Sequence, residues 1–121
     1  MTAIEKVKIA VNALDSKKAV DIKVIEIAEV SNIADYFVIA TGTSGTHVRT
    51  LADETEYQMS EKGEKVDHIE GRGTQWLLLD YIDVVVHVFS GENRSYYDLE
   101  RLWMDGKELD YTEFLNNEEN K

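Results

Sequence analysis

Apolar residues along this chain change their spacing several times, and each change marks an element. Between Thr2 and about Lys17, Ile4, Val7, Val11 and Leu14 recur at helical spacing and form one stripe. Thr2 and Glu5 stand three apart, as in a capping box, and Lys17 and Lys18 suit the negative end of a helix dipole. The run "DIKVIEIAEV" is short and β-branched, which predicts a strand. After the turn-rich "SNIAD" comes "YFVIATG", almost wholly apolar, as a central strand covered on both faces would be. "TGTSGT" predicts a tight loop. A second helix then runs from Thr46 to about Lys62 on Val48, Leu51, Ala52, Thr55 and Met59, with Gly63 placed just past its end.

Further on, "EKVDHIE" predicts a short third strand on Val66 and Ile69, and "GRGT" a turn. Gln75–Asp80 and Val84–Phe89 form a fourth and a fifth strand, joined closely enough for an antiparallel hairpin. "SGENR" leads to a last helix, "SYYDLERLWM", capped by Ser95, with Tyr96, Leu99 and Trp103 on one face and Gly106 ending it. The tail "YTEFLNNEENK" is weakly patterned, and residues 116–121 are expected to be disordered. The predicted order is α-β-β-α-β-β-β-α: one α/β domain over residues 1–115, a mixed five-stranded sheet packed with three helices. The fourth strand departs from half-buried alternation. Trp76 and Leu78 fall on one face, Leu77 and Leu79 on the other, and both faces are apolar. One reading is a strand covered on both sides. The other is a binding surface, because three helices cannot cover both faces of five strands, and aromatic residues inside a charged rim suit an interface.

Composition narrows the class of partner. The chain has 121 residues, enough for one core, and a diameter of about 35 Å. Thirteen basic residues oppose twenty-four acidic ones, for a net charge of −11. Such a chain repels nucleic acid, whose binding is driven by Lys and Arg displacing counterions, and repels anionic membranes likewise. The charge either favours a basic protein surface as partner or serves solubility alone. Cysteine is absent, which removes disulfides, thiol nucleophiles and thiolate metal sites and suits a reducing cytoplasm. The N-terminal "MTAIEKVKIAVNALDSKKA" has no apolar signal region, and no run approaches the ~18 apolar residues of a membrane span. A soluble, cytoplasmic protein is expected.

Three candidates for chemistry weaken on inspection. "ATGTSGTHV" joins a strand to a helix and resembles the glycine–serine loop of nucleotidyltransferases, yet Gly42 and Gly45 match neither dinucleotide nor Walker spacing. Asp80 and Asp83 stand three apart across a turn, whereas a magnesium pair on one strand face needs a spacing of two. His47, His68 and His87 are scattered over three elements without metal-ligand spacing, and His87 between valines reads as a core or interface histidine. No catalytic, cofactor or metal residue is therefore assigned.

"ADYFVIATGTS" and "EGRGTQWLLLDYIDVVVHVFSGENRSYYDLERLW" resemble the ribosomal silencing factor family RsfS, also called YbeB or iojap. The resemblance runs from Ile4 to Trp103, with its most specific parts in "W-LLDY-DVVVHVF" and "R-YYDLE-LW". It implies a nucleotidyltransferase-like fold without catalytic carboxylates. It also implies binding to the large ribosomal subunit through ribosomal protein L-fourteen, a block on small-subunit joining, and lower translation under nutrient limitation. Mitochondrial relatives act in large-subunit assembly, and some relatives form homodimers in crystals. By family position, Trp76 is the expected main anchor with Leu78 beside it, and Asp80, Tyr81 and Asp83 supply a polar edge toward Arg and Lys of the partner. An enzyme using "TGTSG" and Asp80 with magnesium is the competing reading from another class.

Overall fold

The computed structural model describes residues 1–30, 32–71, 76–91 and 105–115. Helix α1 is Ala3–Ser16, strand β1 Val20–Glu26, β2 Tyr36–Gly42 and α2 Gly45–Glu61. Strands β3, His68–Glu70, β4, Trp76–Asp80, and β5, Val84–Ser90, follow, then β6, Lys107–Leu109, and a 3-10 turn at Tyr111–Phe114. The strands form one mixed sheet in the order β3-β4-β5-β2-β1-β6. Among the described residues, only β2 and β5 run parallel; the other pairs are antiparallel.

Local chemistry sets the helix ends. The Thr2 backbone N–H donates to Glu5 Oε1 at 2.8 Å and the Glu5 N–H to Thr2 Oγ1 at 3.2 Å, closing the capping box. Ser44 caps α2, accepting from the His47 N–H. At its far end Gly63 takes φ 85°, the left-handed conformation that lets the chain turn away. At Gly42 a side chain would not fit, because a Cβ would lie 2.9 Å from Val48 Cγ2 and 3.0 Å from its backbone nitrogen. Glycine there lets α2 begin close against the end of β2.

The sheet has six strands among the described residues, not the five expected. The sixth lies between Gly106 and the weakly patterned tail, in a stretch given no element from the sequence, where Leu109, Glu108 and Lys107 pair with Val24, Ile25 and Glu26 of β1. Three residues are too few to show a period, and the strand forms because β1 presents an edge to pair with. Two α-helices are described. The predicted third helix and the tail 116–121 lie outside the described residues.

Both faces of the sheet carry a core. On one, Val7, Val11 and Leu14 of α1 and Val48, Leu51 and Met59 of α2 pack on Val24, Val38, Ala40, Leu77, Leu79, Val84, Val86 and Val88. On the other, Ile25, Ile27, Ala34, Phe37, Ile39, Val85 and Phe89 form a second cluster containing no residue of α1 or α2. Every residue of β5 is buried, which explains the unbroken apolar run "VVVHVF".

Candidate partner-binding site

Strand β4 shows how the two faces differ. Its residues alternate between half-buried and buried: Trp76, Leu78 and Asp80 are half-buried, and Leu77 and Leu79 are sealed against the helix-side cluster. Trp76 and Leu78 pack on the rim of the second cluster. The indole stacks on Phe89 with ring centroids 5.2 Å apart, and its N–H donates to His87 Nδ1 at 3.1 Å. That bond requires His87 to be neutral with Nδ1 unprotonated. Burial supplies the neutrality, pushing the imidazole down to about 3. Phe37 meets the same ring edge-on at 4.6 Å. Trp76 is thus braced by two aromatic neighbours, His87 and Phe89, with Phe37 backing the imidazole, while the indole is only half-buried.

Edge strand β3 frames this strip with charge. His68 pairs with Asp80 and Glu70 with Leu78 across the ladder, so by alternation His68 and Glu70 share the face of Trp76. His68 lies between carboxylates: Nδ1 is 2.9 Å from Asp67, and Nε2 is 2.8 Å from Glu70 and 3.6 Å from Asp80. The Asp67 hydrogen bond is the main reason its pKa is raised; desolvation, the next largest influence, works against it, and Glu70 and Asp80 add to the rise. Asp67, His68 and Asp80 could together offer three ligand atoms to a metal ion. The imidazole already faces both carboxylates, at 2.9 Å from Asp67 and 3.6 Å from Asp80. Sequence reading weighed His68 only as a metal ligand and did not single out Glu70. The signal that locates them is strand pairing: every second residue of "HIE" joins the face that "W-L-D" presents.

The other expected rim residues part company. Tyr81 does not reach solvent; it is 1% exposed and belongs to the helix-side cluster. The alternation of Leu77 and Leu79 continues to it, which carries its ring to the opposite face from Trp76. Burial raises the phenol's pKa further above its usual range, with Glu56 and Glu64 adding to the effect. Asp83 turns inward to Lys6 of α1, whose ammonium donates to Asp83 Oδ1 at 2.7 Å and to the Tyr81 carbonyl at 3.0 Å. Glu64 lies 3.3 Å from the same ammonium. Burial alone would lower the pKa of Lys6, but the two carboxylates outweigh it and hold it above its ordinary value. Asp80 accepts from the Ile82 N–H at 2.8 Å.

The glycine loop and the aspartates are not brought together. Asp80 is level with Val85 and so with Phe37, whereas Gly42 is five residues further along β2, about 17 Å at strand rise. Within the loop, the Thr43 N–H donates to His47 Nδ1 at 2.9 Å and the Val48 N–H to the Ser44 carbonyl. These donors close the turn instead of pointing at a ligand. Asp80 and Asp83 serve different partners on different elements, so they form no chelating pair.

Comparison with known proteins points to one family. A family model described as "Ribosomal silencing factor during starvation", RsfS, matches residues 1–121. The chain is 46% identical over 99 residues to the ribosomal silencing factor RsfS of Bacillus subtilis, covering 81% of this chain and 84% of that one. A protein from Chromobacterium violaceum, solved by X-ray crystallography, superposes with a TM-score of 0.82 at 34% identity, covering 86% of this chain and 88% of that one. The mouse protein named "Mitochondrial assembly of ribosomal large subunit protein 1" is 32% identical over 97 residues, covering 77% of this chain and 42% of its own length. Among the described residues, no helix is long and apolar enough to cross a membrane.

Proposed function

The chain belongs to the ribosomal silencing factor family, and from that premise we propose that it binds the large ribosomal subunit through its ribosomal protein L-fourteen and blocks joining of the small subunit. The family is defined by silencing of ribosomes, which is not an enzymatic function. The observation that carries the reading is the half-buried, braced indole of Trp76 beside half-buried Leu78, with Glu70, Asp67 and Asp80 around them. An aromatic anchor held in one rotamer loses little entropy on binding, and the surrounding carboxylates suit Arg and Lys of a basic protein. A net charge of −11 disfavours ribosomal RNA as the contact. A standard interface needs about 800 Å² per partner, and a body about 35 Å across excludes a second subunit by volume alone. Catalysis has no part in this mechanism, and the action belongs in the cytoplasm where free subunits meet.

Co-sedimentation with washed large subunits tests it. Trp76→Ala should lose roughly thirtyfold in affinity, since truncating an interface tryptophan commonly costs about 2 kcal/mol or more, while circular dichroism still reports a folded protein. A folded variant that sediments like wild type would refute the assignment.

A second reading, large-subunit assembly, is favoured by the name of the mouse relative. Both roles use one contact and differ in ribosome profiles of a deletion strain. Immature large subunits in growing cells support assembly, and excess translation in starvation supports silencing. A homodimer shielding the same face before the ribosome is met would appear in light scattering across a concentration series.

A further inference from the structure

Ile82, at the tip of the β4–β5 hairpin, combines two features that oppose each other. It is a β-branched residue at φ 76°, in the left-handed region that such residues almost never occupy. It is also 62% exposed and packs in neither apolar cluster. The Asp83 N–H donates to the Tyr81 carbonyl at 3.0 Å. This closes a three-residue turn around Ile82 of the rare kind whose central residue has positive φ. Glycine or asparagine would adopt that conformation more easily. The isoleucine therefore contributes neither core packing nor backbone ease.

The surroundings hold it there. Asp80 Oδ1 accepts the Ile82 N–H at 2.8 Å, and the Tyr81 N–H donates to the Val84 carbonyl at 2.9 Å. The ammonium of Lys6 clasps both the Tyr81 carbonyl and the Asp83 carboxylate. The Asp83 carbonyl in turn accepts from the Asp35 and Tyr36 N–H groups at 2.8 and 3.2 Å. Each residue beside Ile82 is tied down, and its own side chain projects outward. Strained backbone held this firmly is a recognised mark of functional sites.

Resting on the reading that this face meets the large subunit, we infer that Ile82 is a second, preorganised apolar anchor for the same basic protein partner. Asp80 and Asp83 flank it, and the only described cation at the tip, Lys6, is buried and already held by Asp83 and Glu64. The tip therefore presents an apolar knob in an acidic setting. That chemistry fits an apolar dimple bordered by Arg or Lys on a protein and repels phosphate. Trp76 lies six residues back, about 20 Å along the strand direction. Both anchors fit the footprint of a standard interface, about 800 Å² on each side.

The test uses Ile82→Asn and Ile82→Leu in the full chain, with washed large subunits as the probe. Asparagine tolerates the left-handed conformation, so Ile82→Asn should melt at or above the wild-type temperature while binding about tenfold more weakly, a loss of about 1.4 kcal/mol. Ile82→Leu restores an apolar tip and should bind close to wild type. Stability and affinity moving in opposite directions is the signature, because a packing residue would lower both. Unchanged affinity in Ile82→Asn overturns the inference, and so does a fall in melting temperature that accompanies weaker binding. If Trp76→Ala weakens binding and Ile82→Asn does not, the second anchor alone fails. If wild-type protein does not bind large subunits, both readings fail.

Discussion

The two faces of β4 are built from nearly the same residues and do different things. Leu77 and Leu79 are sealed against α1 and α2, and Trp76 and Leu78 are left half-covered beside a charged edge strand. On the helix side, burial converts apolar area into stability, and any void has neighbours that cannot fully relax into it. On the tryptophan side, part of the apolar area remains available to a second molecule. Hydrophobicity alone therefore does not separate core from interface. The separation comes from what the fold places over each side, and from charges at the margin such as Asp67, Glu70 and Asp80.

Substitutions on the sealed side should have the largest effect on stability and none of their own on recognition. Leu79→Ala is expected to cost about 3 kcal/mol in denaturant unfolding, with the folded fraction still binding large subunits. Next comes Lys6, which links the helix layer to the hairpin tip. Lys6→Met leaves the Asp83 carboxylate and the Tyr81 carbonyl without their donor. Because Asp83 keeps 32% of its side chain exposed, the expected cost is about 1–2 kcal/mol, below the range for a fully buried pair. The variant also loosens the turn that presents Ile82, so affinity should fall with stability.

The tryptophan side should give itself away through pH. His87 is held neutral by burial, with its pKa pushed from 6.5 down to about 3. The unfolded chain takes up the proton first as pH falls, so this contribution to stability is complete above pH 6.5 and declines from there toward pH 3. One unit below 6.5 the loss should be about 1.4 kcal/mol, read as the difference in pH dependence between wild type and His87→Gln. Equal slopes for the two proteins would contradict the neutral imidazole that accepts from Trp76.

Much of this was readable from the residues because local signals agreed with the fold. Thr2 and Glu5 announced the start of α1, Gly63 the end of α2, and the almost wholly apolar "YFVIATG" a central strand covered on both faces. Other features resisted for physical reasons. Strand β6 has three residues and owes its existence to the free edge of β1. Tyr81 looked like a turn residue with a polar head, yet parity with Leu77 and Leu79 sends it into the helix-side cluster. Asp83 looked free to meet a partner, but Lys6, 77 positions away in sequence, claims it. The positive φ of Ile82 could not be foreseen, since nothing about isoleucine favours it.

The central claim is that the half-covered side of β4 grips the large subunit and that bulk does the rest. Light scattering of purified small and large subunits mixed with increasing protein measures this directly. Wild-type protein should prevent association, and folded Trp76→Ala should need roughly thirtyfold more protein to do the same. Equal inhibition by the two proteins, or no inhibition by wild type at saturating concentration, would contradict the account.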